Sequence, residues 1–437
     1  MRFGRRLVLG GLGAAVLLGA LPGAAAAADG AAIDTGDTAW LLVATALVMV
    51  MLPGLALFYG GLVRRKNVLS TIMHSFFGLA LVSVVWVLVG FSLAFGTDVG
   101  GLGLIGGLDF VGFMNVGLEP SATYGVTIPF VLFAAFQLMF AAITPALITG
   151  AFAERKRFAA FVLFTVLWSV VVYSPIAHWV WSVDGWLFKM GALDFAGGTV
   201  VHASSGVSAL IVALLIGRRA VNGDAMEPHD IPMTVLGAGL LWFGWFGFNA
   251  GSSLGANGLA ANALLVTNTA AGAATITWVL ASYLHKRKVS VAGAACGAVA
   301  GLVAITPASG FVTAGGALVI GLLVGGICYS ATLLRERLRI DDALDVFAVH
   351  GVGGTFGAIA TGVFATAAIN AYPGLIDGNP GQVVTQVVAV GATIAYAVVA
   401  TFVIVKLVDL VLGLRVGAHE EEVGLDLAVH GEVAYQA

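Results

Sequence analysis

The stretch DFAGGTVVHASSGVSALIVALLIG, residues 194–217, decides the class of fold. Most of it is an apolar run long enough to cross a lipid bilayer as a helix, yet the run contains His202. An ionisable side chain inside a membrane helix is costly, and by default it is a functional residue. The stretch therefore predicts a membrane-spanning helix whose histidine serves a purpose.

The composition extends this interpretation to the whole chain. Of the 437 residues, 59% are hydrophobic and only 10% are charged, which excludes a water-soluble domain. The 60 glycines suit helices that pack closely in lipid. The net charge of −3 gives no indication of a nucleic-acid partner. Cys296 and Cys328 form neither a disulfide framework nor a metal site, so no metal or cofactor is expected.

The first 28 residues form a separate unit. Arg2, Arg5 and Arg6 precede an apolar run and then a run of small residues, which predicts a secretory signal peptide over residues 1–28. The alternative is an uncleaved first helix. In both cases the chain from residue 29 onwards is expected to start outside the cytoplasm.

Apolar runs of about 20 residues recur along the rest of the chain and predict eleven membrane spans. They lie at approximately residues 39–61, 68–95, 127–151, 158–180, 199–217, 232–252, 259–284, 290–308, 313–334, 344–365 and 384–411. The membrane domain thus covers residues 29–411, and residues 412–437 form a C-terminal tail.

Basic residues cluster on one side of these spans. The clusters follow odd-numbered spans, at residues 64–66, 155–157, 218–219, 286–288 and 335–339, whereas Lys189 falls on the other side. Because cytoplasmic loops collect lysine and arginine, the N-terminus is expected outside the cell and the tail in the cytoplasm. The membrane is expected to be the inner cell membrane.

Eleven spans suggest two five-helix repeats, about 39–217 and 232–365, followed by a long C-terminal helix over 384–411. An odd number of helices per repeat would make the two repeats inverted copies. Spans five and ten support this, because each opens with an acidic residue, Asp194 or Asp345, and then a histidine, His202 or His350. The alternative is that the shared order of acid and histidine arose by chance. The predicted fold is an all-α polytopic membrane protein.

Inverted symmetry would bring His202 and His350 together near the membrane midplane. Otherwise each histidine would bond a backbone carbonyl of a neighbouring helix. The acids lie in loops, in the tail or near span ends, where Asp194 and Asp345 can cap helices. A passage with imidazole as its ionisable lining suits a solute that can shed its charge, as ammonium does when it becomes ammonia.

The sequence resembles the ammonium transporter family, often grouped with Rhesus-type proteins. The resemblance covers nearly all of residues 38–437 and rests on several motifs: PGLALFYGGLVRRKNVLS, FAERKRF, SPIAHWVW, GALDFAGGTVVH, WFGWFGFNAGS, AGLVAITPASGFV, DDALDVFAVHGVGG and GLDLAVHGEVAYQA. It implies eleven helices in two inverted halves, a homotrimer, and one pore in each subunit.

The resemblance also implies roles for individual residues. His202 and His350 match the paired pore histidines, and Asp194 matches an acid that supports recruitment through local structure. The matched substrate-binding residues are Phe140, Trp181 and Ser252, and the matched gate residues are Phe140 and Phe248, with Phe136 one turn earlier. Trp179, Trp186 and Ser253 are close rivals for these assignments.

The resemblance thus implies a transporter of ammonium and methylammonium that conducts ammonia and is not an enzyme. A P-II type regulatory protein is an expected partner at the cytoplasmic face. The alternatives are an ammonium sensor that acts through a cytosolic partner, and a Rhesus-like channel for neutral gases.

Overall fold

The computed structural model describes residues 32–220 and 226–435. The predicted signal peptide, residues 1–28, lies outside the described residues. Within the described ranges the chain is helical, and its β-type pairing is limited to two isolated bridges. The predicted all-α membrane fold is therefore confirmed.

Eleven helical segments of the described chain correspond to the predicted spans, and ten of them have the length and hydropathy to cross a membrane. We number them in chain order. They are α1 Thr35–Leu62, α2 Arg65–Phe95, α3 Phe130–Phe152, α4 Phe158–Lys189, α5 Gly198–Ile216, α6 Ile231–Ser253, α7 Gly258–Lys286, α8 Val291–Ile305, α9 Ala314–Arg337, α10 Phe347–Phe364 and α11 Gly381–Leu412.

The helix α8 is shorter than the predicted span of residues 290–308. It ends at Ile305 after 15 residues, and the chain continues through a buried turn that includes Pro307. Pro307 has no backbone N–H to continue the helical hydrogen-bond pattern, which explains the early end. Non-helical backbone is tolerated at membrane depth when it is buried in protein, as here, where Pro307 O accepts a hydrogen bond from Phe195 N at 3.1 Å.

The first helices of the two predicted repeats, α1 and α6, pack against each other along their length. Glycines on α6 allow the close approach. A Cβ atom added to Gly237 would lie 2.2 Å from the backbone nitrogen of Phe58, and one added to Gly244 would lie 2.3 Å from Met51 Cγ. Small residues at such crossings let membrane helices gain van der Waals contact. The pairing agrees with two inverted five-helix repeats.

The C-terminal tail packs against the end of the bundle that carries the basic loops. Arg157 N donates to Leu414 O at 2.9 Å, and Val416 N donates to Arg155 O at 3.1 Å. After the short helix α12, Ala418–Val423, the carboxylate of Asp426 accepts hydrogen bonds from the backbone N–H groups of Leu69 and Ser70 in α2. The tail is thus joined to several loops at once.

An ion-pair network lies at the same end. Arg219 Nη2 is 2.7 Å from Asp341 Oδ1, and its Nη1 is 3.2 Å from Glu154 Oε2, which also pairs with Arg64 at 2.9 Å. Burial alone would raise the pKa of Asp341, but its hydrogen bonds and charge interaction with Arg219 lower that pKa to about 2.

Candidate functional site

The two intramembrane histidines face each other. Nδ1 of His202 and Nδ1 of His350 are 3.2 Å apart, and the ring centroids are 5.2 Å apart. Both side chains are buried, with 1% and 4% of their surface exposed. The distance excludes the alternative in which each Nδ1 bonds only a backbone carbonyl, so the predicted meeting of the two rings is observed.

Matching local structures place the two histidines. His202 lies in a π-helical turn, Gly198–Ala203, and His350 lies in another, Phe347–Val352. Each turn opens a membrane helix, α5 or α10, and continues as a regular α-helix. The described chain has three more π-helical turns, so the feature shared by the two histidines is the matched position of their turns at a helix start.

A glycine four residues after each histidine brings the two helices together. A Cβ atom on Gly206 would lie 2.0 Å from the backbone nitrogen of Gly351, and one on Gly354 would lie 2.7 Å from His202 Cβ. Real Cβ atoms do not approach other atoms so closely. The backbones of α5 and α10 therefore touch directly at this crossing, and each glycine packs against the histidine turn of the other helix.

Asp194 caps α5. Its carboxylate accepts hydrogen bonds from the backbone N–H groups of Gly197, Gly198, Thr199 and Val200 at 2.6–3.2 Å, and from the Thr199 hydroxyl. These donors are the N–H groups that a helix start leaves unpaired. Burial raises the pKa of Asp194, whereas the donors act in the opposite direction.

Asp345 does not play the corresponding part at α10, so the interpretation of Asp345 as a helix cap is wrong. Its carboxylate pairs with Arg335 at 2.6 Å, and burial raises its pKa to about 7. Asp342 is the capping residue, because its Oδ2 accepts from Phe347 N at 2.7 Å. The chain adopts a left-handed conformation at Asp345, with φ of 58°, which turns that side chain away from the helix start.

Two phenylalanine rings separate two cavities. The rings of Phe140 and Phe248 are 4.2 Å apart between centroids. Phe140 borders the outer cavity, and Phe248 borders the inner cavity. The ring of Phe136 packs against that of Phe140, with 5.0 Å between centroids, but Phe136 lines neither cavity.

The inner cavity contains both histidines and is very small, at about 10 Å³. Its other walls are apolar, formed by Met51, Leu55, Phe58, Ile143, Leu147, Leu241, Trp245, Phe248 and Val299. A cavity of this size holds about one water-sized molecule. The imidazoles are thus the polar groups that such a molecule would meet.

The outer cavity is larger, at about 320 Å³, and brings together Phe140, Trp181 and Ser252. The ring of Trp181 stands at 86° to that of Phe140, with 5.8 Å between centroids. Ser252 Oγ donates to Phe248 O at 2.9 Å, so its lone pairs stay available as acceptors.

The rival residues lie elsewhere. Trp179 donates to Leu104 O and packs against Tyr396 and Trp186, away from the outer cavity. Ser253 is buried, and its hydroxyl bonds the carbonyl groups of Ala250 and Gly255. Of these neighbouring candidates, Trp181 and Ser252 border the cavity.

The sequence interpretation missed Trp245 and Thr199. Trp245 stacks on His202 with 5.4 Å between ring centroids, and its Nε1 donates to Thr306 Oγ1 at 2.8 Å. It lies in the WFGWFGF motif, one turn before Phe248, and that helical spacing was the available signal. Thr199, which donates to Asp194, lies five residues after that acid, and this interval does not match the three-residue spacing of a capping box, so the sequence carried no signal for it.

Comparison with known proteins agrees with this arrangement. The profile of the Ammonium Transporter Family matches residues 39–435. The chain is 51% identical to "Ammonium transporter" of Bacillus subtilis over 407 residues, which cover 92% of this chain and 99% of that protein. It is 49% identical to "Ammonium transporter Amt1" of Archaeoglobus fulgidus, with 92% and 100% covered.

Solved structures agree as well. Mep2 of Saccharomyces cerevisiae superposes with a TM-score of 0.83 at 39% identity, over 89% of this chain and 88% of that one. A structure described as "Sensor Amt Protein" superposes with a TM-score of 0.82 at 31% identity, over 90% and 98%. Because the family profile matches most of its length and it is 51% identical in sequence to a member, this chain belongs to the ammonium transporter family.

Proposed function

We propose that this membrane protein captures ammonium in the outer cavity, where the ion gives its proton to solvent water at the Phe140–Phe248 gate, and that it conducts ammonia past His202 and His350. The observation that carries the proposal is the facing histidine pair inside a cavity of about 10 Å³. Each step has a physical reason in the residues that form it.

Capture relies on the corner between the rings of Phe140 and Trp181, which together with Ser252 we call the recruitment corner. A cation is attracted to the face of an aromatic ring, and more strongly once water is excluded. The two rings stand nearly perpendicular, and the Ser252 hydroxyl adds an acceptor beside them. Ammonium and methylammonium are small cations with N–H donors, so both suit this corner.

Deprotonation follows from the size and dryness of the inner cavity. A bare cation in an apolar enclosure loses its hydration at a large free-energy cost, and the cavity has no room for a hydration shell. Ammonia pays much less because it is neutral. The gate thus favours transfer of the proton to water on its outer side before the solute enters.

The histidine pair offers matched polar groups to ammonia. The two Nδ1 atoms are 3.2 Å apart, so one ring donates a hydrogen bond from Nδ1–H and the other accepts it at a bare Nδ1. Two neutral rings must therefore be opposite tautomers. One ring then presents a bare Nε2 to the pore and the other presents an Nε2–H. Ammonia can donate to the first and accept from the second.

We place the chain in the inner cell membrane. The basic loops support an orientation with the N-terminus outside and the tail in the cytoplasm. The tail and loop contacts give that cytoplasmic end a defined surface. We extend the proposal to a homotrimer that a P-II type regulatory protein binds at this surface. Mass measurement of the purified complex and a pull-down from nitrogen-shifted cells test these two points.

Rescue of an ammonium-uptake-deficient strain at low ammonium tests the main proposal. The wild-type chain is expected to restore growth, and a variant with both His202→Ala and His350→Ala is expected to fail although it reaches the membrane. His285→Ala is the matched control, because His285 lies outside both cavities and bonds Tyr329. Undiminished methylammonium uptake by the double variant would refute the role of the pair.

The same corner argues against a neutral-gas channel as the main function. Carbon dioxide gains little from ring faces that attract cations, so a recruitment corner of this kind favours ammonium. A role as an ammonium sensor would use the same capture site and differ in what the tail contacts. Growth rescue by the wild-type chain without any signalling partner would favour transport.

A further inference from the structure

The outer cavity is much larger than its proposed substrate needs. Ammonium is about the size of water, which occupies roughly 30 Å³ in the liquid. The cavity measures about 320 Å³, which falls in the range of pockets that hold organic ligands. The recruitment corner therefore fills only part of it.

A second aromatic corner lines the same cavity. Tyr372 stands edge-on to Phe311 at 87° with 5.7 Å between centroids, and Phe311 stands at 82° to Phe195 with 5.8 Å. None of these three rings belongs to the recruitment corner or the gate. Several aromatic walls around one cavity are the arrangement that binds quaternary ammonium groups.

The charges at the mouth allow an organic cation to enter. Lys189 also lines the cavity, but its Nζ lies 3.7 Å from Asp184 and its side chain is 51% exposed. An exposed cation beside a carboxylate is largely compensated by that partner and by solvent. The walls themselves are mainly apolar, so they suit an ion with a diffuse, weakly hydrated charge.

We propose that the outer cavity binds alkylated ammonium ions that are too large for the gate, and that such an ion blocks capture of the substrate. The inference rests on the proposed function, since the block is at the entrance to that pathway. The gate rings, 4.2 Å apart, and an inner cavity of about 10 Å³ prevent passage of the larger ion.

Tetramethylammonium is the probe. It should inhibit methylammonium uptake competitively, whereas sodium chloride at equal ionic strength should not. Tyr372→Leu removes a ring from the second corner and should raise the inhibition constant roughly 3- to 10-fold, the value of one cation–π contact. Tyr372→Phe keeps the ring and should retain the wild-type inhibition constant. Both variants should retain methylammonium uptake, because Tyr372 lies outside the recruitment corner.

Calorimetric titration of tetramethylammonium into the purified protein separates this inference from the proposed function. Saturable methylammonium uptake without competition, or with equal inhibition of wild type and Tyr372→Leu, overturns the blocking site alone. Ring-dependent binding of tetramethylammonium in a protein that takes up no methylammonium supports the site and overturns the proposed transport.

Discussion

Asp194 and Asp342 hold equivalent positions in the two halves of the molecule. Each lies eight residues before one of the two facing histidines (202 − 194 and 350 − 342) and accepts a hydrogen bond from the backbone N–H five residues after itself, at 2.8 Å from Thr199 and 2.7 Å from Phe347. The acid fixes the start of the helix, and the helix start fixes the height of the histidine in the membrane.

Replacement of Asp194 by alanine is expected to destabilise the fold more than replacement of Asp342. Asp194→Ala leaves several buried N–H groups and a hydroxyl without an acceptor, at a cost of about 3 kcal/mol. Asp342→Ala is expected to cost about 1 kcal/mol. Thermal unfolding of the purified variants measures the difference, and equal losses for the two would contradict the assigned contacts.

Addition of one methyl group at the helix crossing is expected to abolish transport. Gly206→Ala would place a Cβ 2.0 Å from the backbone of Gly351, so α5 and α10 must separate and pull the histidines apart. Gly239→Ala on α6 is the matched control, since nothing lies within 4 Å of its added Cβ. Uptake assays on membranes with equal amounts of each variant test this; normal uptake by Gly206→Ala would argue against a fixed crossing.

Two adjacent serines should give opposite results. Ser252→Ala removes an acceptor from the recruitment corner and is expected to raise the KM for methylammonium roughly 3- to 10-fold with little loss of stability. Ser253→Ala removes a buried hydroxyl that bonds two carbonyl groups, so it should lower thermal stability and leave KM unchanged. Steady-state uptake and thermal unfolding separate the effects, and a raised KM in Ser253→Ala alone would reassign the site.

Asp341 should make stability fall with acidification. Its pKa drops from 3.8 to about 2 on folding, so the stabilisation is present above about pH 4 and is lost as the pH falls towards 2. After allowance for solvent screening we expect about 1–2 kcal/mol. Asp341→Asn should therefore lower the unfolding temperature at pH 7 and have little effect near pH 2, with the exposed Glu227→Gln as control. A pH-independent effect would exclude the Arg219 interaction as its cause.

The sequence predicts much of this structure because lipid imposes simple rules. Apolar runs of about 20 residues mark the helices, and an ionisable group such as His202 within one is conspicuous. Features that depend on composition and spacing alone could therefore be predicted from the sequence. The symmetric positions of His202 and His350 predicted their meeting.

Features that depend on tertiary contacts were out of reach. The sequence offers Asp341, Asp342 and Asp345 before the second histidine, and backbone conformation decides which of them caps α10. Lys156 sits in a basic loop segment, yet its Nζ is buried 3.9 Å from the ring centroid of Phe152 and 4.0 Å from that of Phe164. No pattern along the chain distinguishes it from a solvated neighbour.

The direct backbone contact between α5 and α10 has a mechanical consequence. A transporter that exposes its site to each side in turn must slide or tilt one half against the other, and side chains usually give way between the moving parts. Gly206 and Gly354 leave no side chain to yield, so such a rocking motion would break the crossing that holds the two imidazoles in register. Turnover should then proceed through a static conduit, with ring rotations at the gate as its largest movements.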